Sequence, residues 1–215
     1  MSEKFEKKTQ AIVVIHDIFN ICFLSTIVLL DFYYLWVATE WHKIGTSELG
    51  KGYEAVFNIF FGAFSSYCFI DTLWIVIYPS SVLSNYIAIV MHHVATGIYI
   101  LIPFYHRQFS WHMAVCLVVE VNTVFLILRR NSLKGSMLYI LCEVFFYITW
   151  FAFRCVLFPI LVIFTWNEYL RLSKSIDNYV NIVVLAPIFQ VILTALSMKW
   201  TYEILQKVVF AKKKE

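Results

Sequence analysis

A chain of 215 residues that is 61% hydrophobic, 19% aromatic and only 14% charged carries more apolar surface than one soluble core can hide. Six Gly and four Pro exclude collagen-like and low-complexity chains, and so many aromatics exclude intrinsic disorder. The net charge of +3 is small, and the remaining class is an integral membrane protein.

In chain order, Lys4, Lys7 and Lys8 precede a long apolar run carrying His16 and Asp17. That run lacks the short apolar region and small-residue cleavage site of a signal peptide, so it reads as a retained first helix. A spanning helix needs about 20 mostly apolar residues. Six segments qualify, from Ala11 to Val37, Tyr53 to Tyr78, Val82 to Phe104, Phe109 to Leu128, Ser136 to Trp166 and Tyr179 to Val208. Gly45 to Gly52, Pro79-Ser80-Ser81, His106-Arg107-Gln108, Arg129 to Gly135 and Glu168 to Asp177 punctuate them. The expected fold is all-α, one six-helix bundle over residues 11–210. Residues 1–10 and 211–215 form short tails. No internal repeat or second domain is visible. Five scattered Cys without a C-x-x-C pair fall in apolar stretches and read as buried small side chains.

Lys and Arg asymmetry sets the expected orientation. Ten basic residues fall on the side of the two termini and five on the other, so both termini are expected in the cytosol. Arg154 and Lys199 lie within spans. The ending Lys212-Lys213-Lys214-Glu215 has lysines third and fourth from its end. That pattern resembles a dilysine retrieval signal and points to the endoplasmic reticulum.

Most spans carry ionisable residues, namely His16, Asp17, Asp31, Asp71, His92, His93, Glu120, Glu143 and Arg154. A charge at mid-bilayer costs about 2.5–3.5 kcal/mol even on the lenient scale, so these groups should face the bundle interior and mark a site. At 1.5 Å per residue, Asp71, His93, Glu120 and Glu143 lie about 10–16 Å in from the cytosolic side, and Arg154 about 27 Å. Four helices thus bring polar groups to one level, with Arg154 near the luminal side. His16 and Asp17 read as interfacial. Asn85, His92, Thr96 and Tyr99 share one helical face, as do Glu143, Tyr147, Trp150 and Arg154.

Asp71, the pair His92-His93, Glu120-Val121-Asn122-Thr123 with Arg129-Arg130, and Phe151 to Arg154 together resemble the TLC domain, the family of translocating-chain-associated, longevity-assurance and ceroid-lipofuscinosis membrane proteins. The resemblance covers about Ala11 to Val208. Its short length resembles the small TLC domain-containing branch of the transmembrane protein 56 type. The resemblance implies a six-helix bundle around a lipid-sized cavity. In the family's ceramide synthases the His pair is central to catalysis, and two acidic residues three apart follow. Here these positions are Glu120 and Thr123, and the second lacks a carboxylate.

Two functions fit. The first is binding of a membrane lipid or acyl chain for lipid homeostasis, with no cofactor. Asn85, Thr96, Asn122, Thr123, Glu143 and Arg154 would be the substrate-binding residues. The second is acyl transfer of the ceramide synthase type, with acyl-CoA as co-substrate. Here His92 or His93 would act as nucleophile or base, positioned by Glu120 and Asp71. Adjacent His residues point about 100° apart on a helix, so no metal site is expected. No nucleic-acid surface is expected, and a homodimer is left open.

Overall fold

The computed structural model describes residues 3–38, 54–82 and 86–211. Asn85, the loop holding Lys43 and Lys51, and the terminal Lys212 to Glu215 lie outside the described residues. Six helical spans are long and apolar enough to cross a membrane: Thr9–Trp36, Glu54–Ile77, Tyr86–Tyr105, Arg107–Asn131, Met137–Ser175 and Ile182–Gln206. No strand occurs among the described residues. The chain is thus an all-α, multi-pass bundle. Large apolar side chains such as Ile59, Phe69, Ile148, Phe151 and Ile163 point outward. Asp17, Asp31, Asp71, Glu120 and Arg154 are buried. This inside-polar, outside-apolar order is what a hydrocarbon solvent selects.

The spans close into a ring. The first packs on the second, the second on the third and the third on the sixth; the sixth packs on the fifth, the fifth on the fourth, and the fourth returns to the first. Both described chain ends lie on one face, called here the terminal face; the other is the opposite face.

The fourth span is two helices, Ser110–Leu117 and Glu120–Asn131. Val118 and Val119 between them form a tight turn, with Val121 N–H donating to the Val118 carbonyl at 3.1 Å and Asn122 N–H to Val119 at 2.9 Å. These three-residue steps replace the four-residue ladder and break the axis. In the first half, Ser110 to Ala114, Cys116 and Leu117 are buried. A helix buried on every side lies within a core, not on a wall. It touches the first, third and fifth spans, and so plugs the ring near the opposite face. The second half, opening on Glu120, joins the wall between the first and fifth spans.

Sequence and structure differ most on the fifth span, expected to end at Trp166 and observed to run to Ser175. Its 39 residues correspond to about 58 Å, nearly twice a hydrocarbon core of about 30 Å. Polar residues outside the bilayer keep this helix going. Arg171 donates to Glu168 at 2.8 Å one turn back. The helix stops at Asp177, whose φ of 49° is left-handed. Asn178 N–H reaches back to the Ser173 carbonyl at 3.0 Å, a Schellman closure. At its start, Gly135 takes φ 82° and Ser136 caps the helix by accepting from Tyr139 N–H at 3.1 Å. Midway, Trp150–Leu157 is a π-helix. Pro159 has no N–H for the Cys155 carbonyl, and the wider turn ahead of it absorbs that mismatch.

Candidate functional site

A belt of polar side chains crosses all six spans. On the first three, His16 Nε2 lies 2.7 Å from Asp71 Oδ1, and Asp71 Oδ2 lies 3.5 Å from His93 Nδ1. One carboxylate therefore bridges two imidazoles. The His16 ring stacks on Trp74 with centroids 5.7 Å apart. Tyr67 donates to Asn20 Oδ1 at 2.9 Å, and the Asn20 amide lies 3.1 Å from His16 Nε2. Thr72 Oγ1 lies 3.1 Å from His93 Nδ1. His16, Asp71 and the His pair sit six or seven residues from the terminal-face ends of their spans, about 9–11 Å deep.

The other three spans complete the belt around Arg154. Its guanidinium donates to Asn122 Oδ1 at 3.4 Å and Ser197 Oγ at 3.3 Å. It also lies 4.8 Å from the Trp150 ring centre and 5.4 Å from that of Trp200. Two indole faces and two oxygen acceptors thus hold a buried cation. Asn122 is itself fixed, donating to the Phe146 carbonyl at 2.8 Å and Thr149 Oγ1 at 3.0 Å. Trp150 donates to Thr201 Oγ1 at 2.9 Å. His92 joins the halves, 5.8 Å from the His93 ring and 5.6 Å edge-on from Trp200. Its Nδ1 is sealed from solvent and has no hydrogen-bond partner among the described residues. Glu120 is buried within electrostatic range of both Arg154 and Asp71, with the Thr123 hydroxyl beside it.

Asp71, His92, His93, Glu120, Asn122, Thr123 and Arg154 are thus assembled together. Thr96 donates back to the His92 carbonyl at 2.8 Å, a bond within its own helix. Glu143 stands apart, 3.5 Å from Arg129 and 3.4 Å from Tyr139 Oη. The reason also explains why Arg154 is not near the luminal edge. The fifth span starts about two turns outside the others, leaving Met137 73% exposed. Counting depth from its first residue therefore overshoots by about 12 Å. Glu143 falls at the terminal face and Arg154 falls level with Asn122.

His16 and Asp17 are not interfacial bystanders. Asp17 is 2% exposed. Its carboxylate accepts from Arg130 through both Nε, at 2.9 Å, and Nη2, and from Asn131 Nδ2 at 2.7 Å. This clamp ties the first span to the end of the fourth at the terminal face. The sequence signal for His16, Asn20 and Trp74 was weak. The i, i+4 spacing of His16 and Asn20 puts them on one face, but their partners lie 47 and 55 residues away.

Comparison with curated proteins and with solved structures finds no match. The model of the TLC domain family does match, over residues 9–206. That stretch holds all six spans and every residue of the belt, and the chain belongs to the TLC domain family of multi-pass membrane proteins.

Proposed function

We propose that the protein holds a membrane lipid or acyl chain inside the helix ring and serves membrane lipid homeostasis. One observation carries the reading. His92 Nδ1, at the junction of the two halves of the belt, is buried and, like Trp74 Nε1, without a hydrogen-bond partner among the described residues. A polar group on an otherwise apolar ligand answers that nitrogen, and the spans supply the apolar wall. Arg154 and Glu120 add opposite charges at the same depth, suited to a carbonyl or ester dipole. The basic bias of the terminal side and the Lys212 to Glu215 tail support the endoplasmic reticulum, with both termini cytosolic.

Mass spectrometry of the purified chain tests this. A defined lipid class should co-purify with the wild type and fall at least tenfold in His92→Ala with His93→Ala. Recovery of detergent alone, or equal lipid in the variant, would refute the reading.

A second reading is favoured by the His93–Asp71 contact. Asp71 orients an imidazole toward base chemistry as carboxylates do in acyl transfer. An acceptor hydroxyl or amine would give its proton to the imidazole and bond to the acyl carbon of a coenzyme A thioester. The carbon–sulfur bond would break, and the leaving thiolate would recover the proton. Microsomes supplied with acyl-CoA and a sphingoid base provide the assay.

A further inference from the structure

The break between the fourth and fifth spans reads Arg129-Arg130-Asn131-Ser132-Leu133. Neither the belt nor the lipid reading uses Ser132. The fourth span ends at Asn131, and Ser132 to Ser136 lead into the fifth, whose first turns stand outside the other spans at the terminal face. The segment is therefore clear of the hydrocarbon. Ser132 has already left the helix and has an extended backbone. Its N–H reaches the Arg129 carbonyl at a long 3.3 Å, and its hydroxyl donates to the Leu128 carbonyl at 2.7 Å. Leu133 beside it is 83% exposed.

Two guanidinium groups at the third and second positions before a hydroxyl, with an apolar side chain after it, form a recognition motif. In an extended chain the two arginines can pair with carboxylates of a partner, Leu133 can fill an apolar subsite, and the Ser132 hydroxyl stands between them. That is the chemistry of a serine kinase with an acidic substrate groove. We propose that Ser132 is a phosphorylation site for an arginine-directed serine kinase, and that the Arg130–Asp17 clamp gates it. The proposal rests on cytosolic placement of the terminal face and not on the lipid reading. The step consumes magnesium-bound ATP. Ser132 Oγ bonds to the γ-phosphorus, the bond from that phosphorus to the β–γ bridging oxygen breaks, and ADP leaves. The hydroxyl proton passes to the base of the kinase.

The gate follows from the geometry. A kinase groove takes an extended chain, whereas Arg129, Arg130 and Asn131 form the last turn of a helix. Asp17 holds Arg130 and Asn131 in that turn, and Arg129 lies 3.5 Å from Glu143. Phosphorylation waits for the turn to open, so its rate follows the population of the opened form. The phosphoserine then keeps it open. Its hydroxyl donor is gone, its dianion faces the carbonyl end of the helix, and its three oxygens compete with Asp17 for the Arg130 guanidinium. Asp17 directly follows His16, so the turn freed from the clamp is the one that carries the His16–Asp71 contact of the belt.

The full chain in detergent micelles, incubated with the catalytic subunit of cyclic-AMP-dependent kinase and magnesium-ATP, tests this. Peptide mass spectrometry should place a phosphoryl group on Ser132, and Ser132→Ala should take up none in this segment. Arg129→Gln, which leaves the clamp in place, should slow uptake about tenfold or more. Asp17→Asn should quicken it about fivefold. A peptide of residues 127–136, which has no clamp, should be modified faster than the protein. The modified protein should melt about 2–4 °C below the unmodified one. In sealed microsomes the added kinase should reach Ser132 without detergent. Failure to modify Ser132 in the protein, whether or not the peptide is modified, would overturn the site, as would uptake undiminished in Arg129→Gln. An Asp17→Asn rate no higher than that of the wild type, or equal melting after modification, would overturn the gate. Labelling of microsomes only after detergent would put the serine in the lumen and overturn the assignment in the cell, while leaving the lipid reading intact.

Discussion

Arg130→Ala is expected to cost the folded protein about 2–4 kcal/mol, and clearly more than Asp17→Ala. The two partners are unequally buried. Asp17 has a side chain 2% exposed, while Arg130 keeps 29% of its side chain in contact with the surroundings. Removing Arg130 leaves a buried carboxylate with only the Asn131 amide to answer it. Removing Asp17 instead frees a long cation that can extend toward the headgroups. The partial exposure of Arg130 puts the cost in the lower part of the range for broken buried pairs. The double variant Asp17→Leu, Arg130→Met should recover most of the loss, because no charge remains stranded. Melting curves of the four proteins in one detergent measure this order. Equal losses in the two single variants would show that the clamp behaves as a surface ion pair.

That clamp illustrates what the sequence carries and what it hides. The six spans are legible because hydrocarbon demands long apolar runs. The chemical level is legible in outline, because Asp71, His92, His93, Glu120 and Arg154 stand where charge is costly. What pairs with what is not legible. Asp17 meets a partner 113 residues away, and only the closure of the first span against the fourth brings them together. Depth is legible only when a span starts at the membrane face. For the third span the count overshoots by only about one turn, since the described span begins at Tyr86 and not at Val82, whereas for the fifth, where the helix overhangs, it overshoots by about two. The turn at Val118 and Val119 is hidden for a different reason. Two valines in an apolar run read as continuous helix, and no Gly or Pro marks the break. Yet this turn separates the plug from the wall and sets Glu120 at the start of a new helix. The acidic side chain thereby meets the N–H end of that helix, a favourable placement for a carboxylate.

Ring closure also gives the belt its chemical coherence. Each span contributes at least one polar side chain at nearly the same depth, so the charges partner laterally instead of reaching for water.

Asp71 is where holding a lipid and transforming one can be told apart. Asp71→Leu is expected to cost about 2–4 kcal/mol, since His16 and His93 both lose their shared partner in a buried setting. Asp71→Asn should stay within about 1.5 kcal/mol of the wild type. The amide oxygen still accepts from His16, and its NH2 group donates to His93 Nδ1 once that ring carries its proton on the other nitrogen. The exchange keeps the packing and inverts the proton on His93. A protein that only holds lipid will therefore retain its co-purifying lipid in the Asn variant. A protein that uses His93 as a base will keep the lipid and lose turnover by about 100-fold or more, because the imidazole is held in the wrong tautomer and its cation has lost its counter-charge. Lipid recovery, melting temperature and acyl-transfer rate measured on the same Asn preparation decide between them. Unchanged transfer in that variant would remove Asp71 and His93 from the chemistry.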